Sequence, residues 1–125
     1  MAGRELQPNV IWPRTACWVE IVTGTLLFFT PSSVARAVFG EGMTASGEAV
    51  GRFAGIVLVF LALACMPSEG RYRKLVPLMA LSWIVAVYLA VYGVFGARAG
   101  VLLWPAAIAH LSLGVGLTRA RMVTY

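Results

Sequence analysis

Hydrophobic positions gather into four long runs, and the short stretches between them hold nearly every charge. The runs cover residues 13–30, 50–66, 75–95 and 101–118, about 17 to 21 residues each. At about 1.5 Å of rise per residue, a helix of that length crosses a hydrocarbon core about 30 Å thick. The pattern predicts an all-α fold, a four-helix transmembrane bundle forming a single integral membrane domain.

The breaks between runs predict how the helices begin and end. Thr30-Pro31-Ser32-Ser33 closes the first run. Proline cannot continue the hydrogen-bond ladder but suits the first turn of a new helix, with Thr30 as its cap. Residues 33–39 then form a short amphipathic segment carrying Arg36, expected to lie along the outer membrane surface as an interfacial helix. Gly40 ends it, and residues 41–48 are expected to be a polar loop. Gly51-Arg52-Phe53-Ala54-Gly55 is a GxxxG, which lets helix backbones approach closely. Residues 66–70 read as a turn broken by Pro67 and Gly70. Gly93, Gly96 and Gly100 lead into a tight outer turn, and the last helix starts near Leu103-Trp104-Pro105.

Charge sets the expected orientation. Arg4, Arg14, Arg71, Arg73, Lys74, Arg119 and Arg121 fall on one side of a four-crossing chain. Glu41, Glu48 and Arg98 fall on the other, with Arg36 and Arg52 near that boundary. The positive-inside rule then places both termini in the cytoplasm. Arg4, Glu5, Pro8 and Pro13 interrupt the first dozen residues, and the run after them is long for a signal peptide, so it is expected to be a retained helix with Trp12 as an interfacial anchor.

Composition agrees: 60% of residues are hydrophobic and 12% charged, about half the charge of a soluble domain. The net charge of +5 is a topology signal scattered over helix flanks, which argues against nucleic-acid binding. Cys17 and Cys65 lie near the cytoplasmic, reducing side and are expected to be small packing residues. No metal site is expected. There is no HExxH, CxxCH or histidine cluster, and four-ligand zinc chemistry lacks partners. The single histidine excludes bis-histidine haem within one chain and leaves single-histidine ligation open, so the cofactor stays unassigned.

Ionisable groups inside a membrane are costly and call for an account. Glu20, Ser82 and His110 each fall seven or eight residues from the cytoplasmic end of their run, at about 10 to 12 Å depth. Ala16, Glu20, Thr23 and Gly24 share one face of the first helix, and Ala106, Ala107, His110 and Gly114 one face of the last. Small residues beside a polar one suit a tight helix contact, so Glu20 and His110 are expected to face each other or share a water. They form either a proton-handling pair, the polar wall of a ligand pocket, or an interhelical hydrogen bond that fixes register. A second polar layer is expected nearer the outer face, with Arg52, Tyr88, Tyr92 and Trp104. Arg52 there either holds an anionic or carbonyl group beside the aromatics, or snorkels outward or pairs with Glu48.

The succession of Thr-Pro-Ser after the first run, Phe39-Gly40, the GxxxG at Gly51 and Gly55, the tyrosine-bearing third run, and Leu103-Trp104-Pro105 with His110 resembles small four-helix bacterial membrane proteins, distantly DoxX-like. The resemblance implies a four-helix bundle in the bacterial inner membrane. Some members of that group accompany quinone-linked or other membrane redox systems.

Three functions are consistent with these features. The first is an accessory subunit or lipophilic-ligand-binding protein of a larger membrane system, with the bilayer, a larger complex or a homo-oligomer as partners. The second is a small enzyme or redox subunit acting on a quinone- or terpenoid-like substrate, with Glu20 and His110 handling protons. The third is a proton-coupled transporter with Glu20 as the coupling carboxylate.

Overall fold

The computed structural model describes residues 11–67 and 75–123, and among them every regular element is a helix. Four long helices, α1 (Ile11–Phe29), α3 (Ala45–Cys65), α4 (Leu75–Phe95) and α5 (Leu103–Val123), are joined by a short α2 (Pro31–Phe39) between the first two. Arg4, Glu5 and Pro8, and the connection from Ser68 to Lys74 with Arg71 and Arg73, lie outside the described residues.

α1 packs chiefly on α3, and α4 chiefly on α5, so the molecule consists of two helix pairs. The pairs meet more lightly, mainly along α1 and α5. Small residues make the first pairing close. A Cβ at Gly24 would stand 2.6 Å from the carbonyl oxygen of Gly55, and one at Gly55 would collide with the carbonyl of Gly24. The GxxxG of α3 thus serves an internal contact: Gly55 meets α1, and Gly51 meets Pro31 at the start of α2. In the second pairing the Trp83 indole lies over Gly114, and its Nε1 donates to Thr118 Oγ1 at 3.2 Å. Trp12 lies against Gly116, joining α1 to α5.

One buried cluster gathers Ala16, Cys17, Ala62, Cys65, Leu75, Leu78, Leu113 and Leu117 from all four long helices. Both cysteines are packed within it.

Three local expectations need correction. Residues 41–48 are not all loop, because α3 begins at Ala45. Thr44 extends its backbone and accepts from the Gly47 amide at 3.2 Å, which starts the helix a turn early and places Glu48 in its first turn. Thr30 precedes α2 but does not cap it through its side chain. Its hydroxyl bonds back to the Leu26 carbonyl at 3.0 Å, prolonging the end of α1. α5 continues past residue 118 to Val123, carrying Arg119 and Arg121 within the helix.

The helices differ in how well they suit a bilayer. α3 and α4 are each long and apolar enough to cross one, and α1 with α2 qualifies only as a pair bent by 114°. α1 alone and α5 fall short in apolarity. These are the two helices that carry Glu20 and His110, and both groups are turned inward.

Candidate functional site

Where α1 and α5 meet, the seam between the helix pairs does not close. It opens into a cavity of about 520 Å³ lined by all five helices. From α1 come Glu20, Thr23, Leu26 and Leu27, one face at helical spacing, followed by Thr30 at the junction with α2. Ala106 and His110 come from α5 and Leu102 from the turn before it, spaced at four residues. Val85 and Leu89 of α4 and Leu58 of α3 add apolar wall.

The remaining wall is α2. Its Ser33, Val34, Ala37, Val38 and Phe39 line the cavity, while Arg36 stays exposed. Two backbone bonds hold it there. The Gly100 amide donates to the Val38 carbonyl and the Leu102 amide to the Ala37 carbonyl, both at 2.9 Å. Gly100 is required at this point, because a Cβ would collide with the backbone of Ala37. Gly40, in the left-handed region at φ 82°, ends the helix with its amide on the Arg36 carbonyl. α2 therefore closes one end of the cavity, which surface amphipathicity alone did not indicate.

Glu20 and His110 stand at the other end. Glu20 is 2% exposed and His110 8%. Glu20 Oε1 and His110 Nδ1 are 3.8 Å apart, too far for a hydrogen bond, so no direct interhelical bond joins them. Neither atom has a hydrogen-bond partner among the described protein groups. A buried polar atom left unpaired costs about 1–3 kcal/mol, so these two are an exception in the interior; both are shielded from solvent, while their residues line the cavity.

The other expected residues separate from this pair. Ser82 is buried on the inner stripe of α4, with its Oγ unpaired, but it does not line the cavity. The second polar layer does not assemble. Arg52 is exposed on α3 and pairs with Glu48 at 3.1 Å, as i, i+4 spacing allows. Tyr88 and Tyr92 stack on each other and make edge contacts with Phe39 of α2, supporting that helix from outside the cavity. Trp104, about half exposed, packs on Gly93. None of Arg52, Tyr88, Tyr92 and Trp104 lines the cavity. The reason is rotational: equal depth on different helices brings side chains together only when their faces converge, and these faces point elsewhere.

Among the described residues, no three of His, Cys, Asp and Glu cluster as metal ligands would. The chemistry of the site is that of one carboxyl and one imidazole in a mainly apolar cavity that also carries Thr23, Thr30 and Ser33. No known protein family, curated protein or solved structure matches the chain.

Proposed function

We propose that this chain is a small membrane protein that binds a lipophilic molecule within its helices, the polar end of the ligand resting against Glu20 and His110. The observation that carries the reading is the cavity of about 520 Å³, walled mainly by apolar side chains, with Glu20 and His110 as its ionisable groups. That size falls within the range of about 300–1,000 Å³ usual for small-molecule sites, and a few convergent polar groups in an apolar chamber are their usual character.

The membrane setting rests on an inverted distribution of polarity. Phe53, Val57 and Phe60 on α3 and Ile84, Val87 and Val91 on α4 are exposed, while Glu20, Ser82 and His110 are buried. α1 and α5 fit the same picture: Trp18, Val22, Leu26 and Phe29, and Ile108 and Leu111, face outward. Their lower average apolarity comes from buried Glu20 and His110 together with the exposed Arg14, Arg119 and Arg121 toward their ends. On this account all four long helices cross a bacterial inner membrane, both termini are cytoplasmic, and α2 lies near the outer interface. The protein works alone, as a homo-oligomer, or as an accessory subunit that presents its ligand to a larger membrane complex. The distant DoxX-like resemblance accords with that role.

A second reading is favoured by one observation, the pairing of two ionisable groups beside a half-open, mainly apolar cavity. As a small enzyme or redox subunit on a quinone- or terpenoid-like substrate, the protein would use Glu20 and His110 for proton transfer at the ligand's polar end.

The test is mass spectrometry of the protein purified in mild detergent, wild type beside Ala106→Phe, which fills the cavity. A lipophile retained by the wild type and lost from the variant supports the proposal. The same lipids at the same occupancy in both would contradict it.

A further inference from the structure

We infer that the cavity fills from within the membrane, its ligand passing sideways through a mouth between α1 and α5, beneath α2. This rests on the ligand-binding and membrane readings above and adds the route by which the ligand arrives.

Exposure along the lining locates the mouth. Glu20, Leu89 and His110 are buried, so the cavity is shut at their level. Leu26, Thr30, Ser33 and Leu102 line the same cavity yet are exposed, the two leucines at 50% and 51%. Leu26 belongs to α1 and Leu102 to the turn before α5, so the opening lies between these two elements, on the α2 side of the cavity. The way in from water is covered. Bonds from the Gly100 and Leu102 amides tie α2 to the turn before α5, and Val34, Ala37, Val38 and Phe39 lie part-buried against the cavity.

Both edges of the mouth suit lipid. No charged residue occurs from 21 to 35 or from 99 to 109. Val22 and Phe29 share the outward face of Leu26, and Pro105 and Ala109 continue the line of Leu102 along α5, all of them exposed. A polar ligand end crossing so apolar a gap needs hydrogen-bond partners on the way, and hydroxyls supply them. Ser33 and Thr30 stand at the rim. Thr23 lies roughly 10 Å further in along α1, one turn short of Glu20. Thr30 donates to the Leu26 carbonyl and keeps its lone pairs, while the Thr23 and Ser33 hydroxyls bond no described residue. The ligand's polar end thus meets a partner at the rim, another midway, and the Glu20 and His110 residues last.

A mouth acts on rates and leaves affinity alone, because narrowing it raises the barriers to entry and exit equally. Exchange NMR of 13C-labelled 1-dodecanol with the full chain in bilayer nanodiscs gives both rates. Leu26→Trp combined with Leu102→Trp should slow association and dissociation together by at least about tenfold, with Kd changed by less than about threefold. Ala106→Phe should abolish binding. Wild-type rates in the double variant, or a fall in affinity at an unchanged association rate, overturn the lateral mouth and, with Ala106→Phe still blocking, leave the cavity reading intact. No binding by the wild type, or binding indifferent to Ala106→Phe, overturns both. Where the double variant does not fold, a nitroxide on Leu26→Cys, with Cys17 and Cys65 replaced by alanine, decides. In bilayers it should be relaxed more by oxygen than by an aqueous nickel chelate, and the reverse order overturns the mouth.

Discussion

Glu20 is held where an apolar residue of similar size would fit the surroundings better. Its carboxyl is buried, its Oε1 lacks a partner among the described residues, and its neighbours on α1 are Ala16, Cys17 and Gly24. An unpaired buried polar atom is a stability cost, and sites that carry such a cost are commonly those that bind or react. Glu20→Leu is therefore expected to raise the unfolding free energy of ligand-free protein by about 1 kcal/mol or more while weakening ligand binding. Chemical unfolding in detergent measures the first effect. A loss of stability would show instead that the carboxyl ties helices together. Arg52 is the contrasting case. Its pair with Glu48 is exposed, and exposed i, i+4 pairs contribute about 0.3–0.5 kcal/mol. Arg52→Gln should leave both stability and ligand retention nearly unchanged, and a severe loss of the retained lipophile in that variant would restore Arg52 to the site.

Among the elements, the α1–α3 pair depends on the close approach of Gly24 and Gly55. Gly55→Leu forces the backbones apart and should cost about 1–3 kcal/mol, read as a lower thermal midpoint. An unchanged midpoint would mean that the approach is not needed. Gly100→Val should act differently. It drives α2 away from the turn that precedes α5, so ligand retention should fall more than global stability. Much of this level was legible in the chain. The four apolar runs located the long helices, the GxxxG announced a close contact, and helical spacing put Glu20 and His110 on facing stripes at one depth. The role of α2 was not legible. Its amphipathic pattern suits a membrane surface as well as the end of a cavity, and the backbone bonds from Gly100 and Leu102 that settle the matter leave no side-chain signature. The second polar layer failed for a related reason: depth follows from counting residues, but convergence depends on how each helix is rotated. Trp83 and Thr118 illustrate the limit again, since a bond across 35 residues has no local pattern.

At the scale of the whole molecule, apolar side chains cover the outside of two lightly joined helix pairs, and a polar-ended chamber lies between them. Four crossings require the α2–α3 connection and the end of α5 to lie on opposite sides of the membrane. With Cys17 and Cys65 replaced by alanine, Glu41→Cys should react with an impermeant maleimide from the outside. Met122→Cys should react only after permeabilisation. Labelling of both from one side would remove the four-crossing arrangement. The central claim, that a lipophile rests against Glu20 and His110, has a direct probe because His110 is the only histidine in the chain. Selective 15N labelling of histidine in tag-free protein gives one imidazole to follow by NMR. Addition of 1-dodecanol as a probe lipophile should shift the imidazole resonances of the wild type and leave those of Ala106→Phe in place. Dodecanol that binds the wild type while the His110 resonances stay unmoved would contradict the account.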